Sequence, residues 1–226
     1  MNQPFPAPYE QQLAAARING QQAMLWESQG NPAGAAQGYD QAIGWTIQSM
    51  NTAMQCGVFI PDAIHFDLGY AHLSAARVKA TMGWMPVAQQ HLFQAMGSVN
   101  QAIAINPHMA NYHVLAGVIL ANQGNLPFAE RAFSTALTIN PSDGYARFML
   151  ANVHAALGNS QAAQGYFAQV QQAYPGIPRM SMSSPPAGPQ QGSDWMKTTG
   201  DWASLAEKLF KAVGSYQDMA AKFDGS

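Results

Sequence analysis

Residues 110–141 read ANYHVLAGVILANQGNLPFAERAFSTALTINP, and residues 144–175 read GYARFMLANVHAALGNSQAAQGYFAQVQQAYP. Laid one beneath the other at a shift of 34 positions, the two stretches agree where helix packing makes demands. Gly124-Asn125 and Gly158-Asn159 take the place of a turn between two helices, where a residue that accepts positive φ ends the first helix. Ala129 and Ala163 follow, then Phe133 and Phe167 one helical turn later. Pro141 and Pro175 close each stretch, because proline cannot continue a helix. Between these marks apolar residues recur at spacings of three and four, the period of amphipathic helices, and nothing alternates with period two for long enough to suggest a sheet.

The same grammar recurs upstream in stretched form. Gly83-Trp84-Met85-Pro86-Val87-Ala88 parallels Gly124-Asn125-Leu126-Pro127-Phe128-Ala129, and Ala102-Ile103-Ala104-Ile105-Asn106-Pro107 parallels Ala136-Leu137-Thr138-Ile139-Asn140-Pro141. From Ala88 to Pro107 is 19 residues, against 12 from Ala129 to Pro141. The excess of seven is two helical turns, which lengthens a helix while nearly preserving its buried face. A further copy of the turn, Gly30-Asn31-Pro32-Ala33-Gly34-Ala35, precedes Tyr39 and Ala42-Ile43, and its second helix runs towards Cys56 before Gly57 and Pro61 end it. Four helix pairs result, two long and two standard, spanning about 9–57, 61–107, 108–141 and 142–175 within an array over 9–175. Residues 1–8 form a Pro-rich arm, and 176–193 form a linker rich in Pro, Ser and Gly. Residues 194–226 then carry nine of the chain's 22 formal charges, with Trp202, Leu205, Leu209, Val213, Tyr216 and Phe223 along one stripe. That pattern predicts an amphipathic helix able to dock on the array's end, in its groove or on a neighbouring copy.

The period of 34 and the pattern L-G…A-x3-F…P resemble the tetratricopeptide repeat (TPR) family. The family's small-residue pair stands as Ala116-Gly117 and Leu150-Ala151, and its helix-closing aromatic as Phe133 and Phe167. His113 and Arg147 occupy the place where the family usually has Trp, and Leu120 and His154 the place where it usually has Tyr. The resemblance implies an all-α, right-handed helical-repeat superhelix of four helix pairs plus the C-terminal amphipathic helix. It also implies a non-catalytic scaffold whose first helices line a concave groove for a protein or peptide partner. Carried over place by place, the groove residues are Tyr70, Leu73, Arg77, Asn111, Val114, Val118, Asn122, Tyr145, Phe148 and Asn152. Family members that grip a C-terminal carboxylate use a clamp of Lys, Arg and Asn, whereas Gly20, Met24, Leu73, Val114 and Phe148 stand at the matching places here. The expected ligand is therefore an apolar helix or extended peptide. The alternative is a structural subunit of a homo-oligomer or fibre, in which the C-terminal helix contacts a neighbouring copy.

Composition narrows the remaining classes. Of 226 residues 48% are apolar but only 10% charged, against roughly 25% charged in an ordinary soluble domain. Polarity comes mostly from 23 Gln and 12 Asn, and a net charge of −2 offers nothing for nucleic acid to grip. No apolar run approaches the length of a membrane span, so no membrane insertion is expected. The first residues lack a basic start and apolar run, which predicts a cytoplasmic chain while leaving cell-surface assembly open. Cys56 is the single cysteine, which excludes an intrachain disulfide and suggests a buried, inert thiol. His65 and His72 are seven apart, two turns of helix and too far for one zinc, so no metal is expected. Asp62 and Asp67, five apart, face different sides of their helix. With no P-loop, dinucleotide fingerprint or nucleophile elbow, the chain reads as a non-enzyme without a cofactor. Met24, Met50, Met54, Met82 and Met96 are expected in the core.

Overall fold

The structure, a computed structural model, describes residues 7–173. Eight helices follow one another: α1 (Pro8–Ser28), α2 (Pro32–Gln55), α3 (Asp62–Thr81), α4 (Met85–Ile105), α5 (Ala110–Asn122), α6 (Leu126–Ile139), α7 (Gly144–Ala156) and α8 (Ser160–Ala173), with no strand among the described residues. The expected arm up to residue 6 and the docking helix of Trp202, Leu205, Leu209, Val213, Tyr216 and Phe223 lie outside them.

Each pair is closed by the same local chemistry. Gly30, Gly83, Gly124 and Gly158 all adopt positive φ, between 72° and 81°. At Gly124 the amide bonds back to Ala121 O, while Asn125 N reaches Leu120 O, so the last carbonyls of α5 are satisfied by a left-handed cap. The same two bonds recur after Gly30, Gly83 and Gly158. Proline at the first or second position then opens α2, α4 and α6, where its missing N–H costs nothing.

The described helices divide into two units, α1–α4 and α5–α8. In the first, α1 packs on α2, α2 on α3, and α3 on α4. The face that α4 buries is Ala88, Leu92, Ala95, Val99 and Ala102, alternating steps of four and three that keep one stripe against α3. Gly69 of α3 admits Val99 there, since a Cβ at residue 69 would stand 2.6 Å from Val99 Cγ2. In the second unit α6 buries Ala129, Phe133 and Ala136, and the Phe133 ring rests on Gly117 of α5. Phe167 is only half-buried and meets Phe148 edge-on at 6.0 Å between ring centres.

The lengthening affects both arms of a pair. α3 has 20 residues against 13 in α5, and α4 has 21 against 14 in α6. Three sequence expectations need correction. Cys56 is exposed, because it caps the end of α2 where Gly57 turns the chain away. Met24 and Met54 are exposed at 39% and 56%: α1 packs chiefly on α2, and Met54 sits in the final turn of α2. Met50 and Met82 do pack on buried apolar clusters.

Candidate functional site

In the second unit the first helices α5 and α7 touch one another. α5 carries Asn111, Val114, Val118 and Asn122, and α7 carries Tyr145, Phe148 and Asn152; none of the seven is ionisable near neutral pH. Asn111, Val118, Asn122 and Tyr145 are half-buried, whereas Val114, Phe148 and Asn152 are buried. Two of the asparagines bond to their own helices: Asn122 Nδ2 donates to Val118 O and Asn152 Nδ2 to Phe148 O, each at 2.8 Å. Each bond uses one N–H of its amide and leaves the carbonyl end out of it. Asn111 Oδ1 and Asn152 Oδ1 accept no hydrogen bond among the described residues.

In the first unit Tyr70 and Leu73 of α3 are half-buried and Arg77 is exposed. Arg77 donates to Glu27 Oε2 of α1 at 2.8 Å, and the Tyr39 hydroxyl of α2 donates to the same oxygen at 3.0 Å. The single cation carried over from the family is therefore already matched by an internal carboxylate. Burial, then the Glu27 charge, pushes the Tyr39 hydroxyl well above the usual tyrosine range. Nearby on α3, burial raises the Asp67 carboxyl to about 6 despite the opposing charge of Arg17. Burial also lowers His65, with Asp62 opposing.

A second polar cluster in this unit has no counterpart in the sequence reading. Lys79 Nζ lies 2.6 Å from Asp40 Oδ1 and 2.8 Å from His91 Nε2, and His91 Nδ1 lies 2.9 Å from His72 Nδ1. His72 therefore meets His91 of α4, not His65 of its own helix. The available signal was Lys79 in the same stripe as His72, Ala75 and Ala76, a charge where a helix should bury apolar atoms. A cleft of about 440 Å³ lined by Ala33, Ala36, Gln37, Asp40, Gln41, Met82 and Trp84 borders its outer end. Among the described residues no group of three His, Cys, Asp or Glu side chains converges to hold a metal ion. No helix among them is long and apolar enough to cross a membrane.

The tetratricopeptide repeat family matches residues 114–178. Among solved structures the chain is similar to the MamA protein, at 15% identity over 76% of this chain and 98% of that one, with a TM-score of 0.39. It is similar to a thermophilic TPR protein of Thermus thermophilus, TTC0263, at 16% identity over 72% and 93%, also with a TM-score of 0.39. It is likewise similar to YrrB, a TPR protein with an unusual peptide-binding site, at 15% identity over 75% and 94%, TM-score 0.39. No curated protein matches the chain. The family's match falls on the helix pairs whose period of 34 and glycine-closed turns set the fold, so residues 114–178 read as tetratricopeptide repeats, a helical-repeat fold that generally serves as a protein-interaction scaffold.

Proposed function

We propose that the chain is a non-catalytic scaffold that holds an apolar helix or extended peptide against the inner faces of its first helices. The observation that carries this is the pair of acceptors without donors, Asn111 Oδ1 and Asn152 Oδ1, on helices whose seven groove positions carry no charged side chain. An unpaired buried acceptor costs about 1–3 kcal/mol, and a peptide N–H is the donor that would satisfy it. Val118 and Tyr145, half-buried on the same helices, supply apolar contact beside it. The lack of charge on this face argues against a carboxylate tail and for an uncharged ligand.

Panning the full chain against a displayed library of random 12-residue peptides tests the reading. Apolar peptides should be enriched, and Val118→Lys or Tyr145→Lys should abolish their binding. Peptides that bind equally well to both variants, or no enrichment at all, would refute it.

A second reading, self-assembly through the C-terminal segment, is favoured by an uncovered stripe on α1, where Ile18 is 66% and Leu25 49% exposed. Residues 194–226 carry an apolar pattern suited to cover such a stripe on another copy. Light scattering on the full chain separates the two readings: a concentration-independent monomer supports the first, and a defined oligomer the second.

A further inference from the structure

Three helices of the first unit bring four polar side chains into one chain of contacts, running from Asp40 on α2 through Lys79 on α3 and His91 on α4 to His72 back on α3. Lys79 is nearly enclosed, with 6% of its side chain exposed, and His91 keeps 12%, while Asp40 reaches solvent at 49%. Bonding geometry fixes the protons along this line. The Lys79 ammonium, ion-paired with Asp40, has donors only, so His91 Nε2 beside it must accept. His91 is then neutral and carries its proton on Nδ1, which it donates to His72 Nδ1 at 2.9 Å. His72 in turn accepts at Nδ1 and holds its own proton on Nε2. Each imidazole is thus held in one neutral tautomer. A proton added to His91 Nε2 faces the ammonium, and a proton added to His72 Nδ1 faces the N–H of His91.

We propose that this line of side chains is an acid-sensitive latch: proton uptake by either imidazole breaks a hydrogen bond that ties α4 to α3 and loosens the first unit. The charged groups facing the imidazoles from the packed helices are Lys79 of α3, which opposes protonation, and Asp40 of α2, which favours it. Asp40 already serves Lys79 at 2.6 Å and stands 3.8 Å from His91, so one carboxylate faces as many as three positive charges in acid. Burial first, then the neighbouring His91 and Lys79, lowers His72 to about 4, and burial followed by Lys79 lowers His91 as well. Because the unfolded chain takes up these protons more readily than the folded one, the latch is fully effective above about pH 6.5 and is lost progressively towards pH 4.

The test compares urea unfolding of the full chain with that of a His72→Gln/His91→Gln variant, whose amides can hydrogen-bond but take up no proton. Trp26, Trp45 and Trp84 lie in the first unit and none among the described residues of the second, so fluorescence in a Trp195→Phe/Trp202→Phe background reads the latch. Between pH 7 and pH 5 the unfolding constant of the parent should rise about tenfold or more relative to the variant. Parallel pH profiles for the two proteins would overturn the proposal. If the variant does not fold, nitrogen NMR of the parent at pH 7 decides instead. The expected result is both imidazoles neutral, His91 protonated on Nδ1 and His72 on Nε2; a charged ring or the opposite tautomers would overturn it.

Discussion

A Cβ placed on Gly117 would stand 2.7 Å from Cε1 of Phe133, so the ring from α6 occupies the space that any other residue of α5 would need. Phe133 is fully buried, and Ala129 and Ala136 flank it with no exposure of their own. Gly117 on α5 thus opens the socket for Phe133 of α6. Phe133→Ala should cost about 3–5 kcal/mol through lost transfer energy and a cavity. Gly117→Ala should also destabilise, although alanine is favoured over glycine in a helix by about 1 kcal/mol, because the ring must move first. Urea unfolding monitored by helical circular dichroism checks both; a stability gain for Gly117→Ala would show the contact to be loose.

Asp40 and Lys79 should respond unequally to removal. Asp40→Asn leaves a nearly enclosed ammonium with one neutral imidazole for company and is expected to cost about 1–2 kcal/mol. Lys79→Met leaves the carboxylate half in water and fills the same space with an apolar chain, so its cost should be smaller. The two midpoints, measured side by side at pH 7, give the order directly.

Asp67 acts with the opposite sign to the histidines. Its folded pKa, about 6, lies above the ordinary 3.8, so the folded chain binds the proton more readily and the ionised group costs stability at neutral pH. Asp67→Asn should therefore stabilise by about 2 kcal/mol at pH 8, with the gain fading between pH 6 and pH 4. A pH series of thermal melts on parent and variant reads both the sign and the window.

Deleting residues 185–226 should lower the melting temperature and increase binding of an apolar dye, or dissolve an oligomer if docking is between copies. Unchanged stability, oligomeric state and dye binding would show that the segment docks nowhere.

The helix pairs were legible because their signals are local. A glycine at φ 78°, as at Gly124, is written into a few neighbouring residues, and the stripe of Ala129, Phe133 and Ala136 into a few turns. The polar cluster of the first unit was not legible, because Asp40 lies 39 residues from Lys79 and His72 lies 19 from His91. Only the docking of α3 between α2 and α4 creates those contacts. His65 and His72 share one helix, whereas the partner of His72 stands on the next. Cys56 is exposed for a related reason: burial at a helix end depends on which neighbour arrives, not on the flanking apolar residues.

The matched lengthening of α3 and α4 makes repeat size a quantised dimension. Counted from Gly83, the extra residues fall at the start of α3 and the end of α4, the two ends farthest from the turn. Extending one arm of this pair alone would leave two turns of apolar stripe without a partner, and a matched heptad in each arm keeps the stripe in phase. Excising residues 62–68 together with 99–105 therefore amounts to resetting this pair to the size of α5 and α6, whereas removing either block alone amounts to breaking it. Length in this architecture is edited as a hairpin, not as a helix.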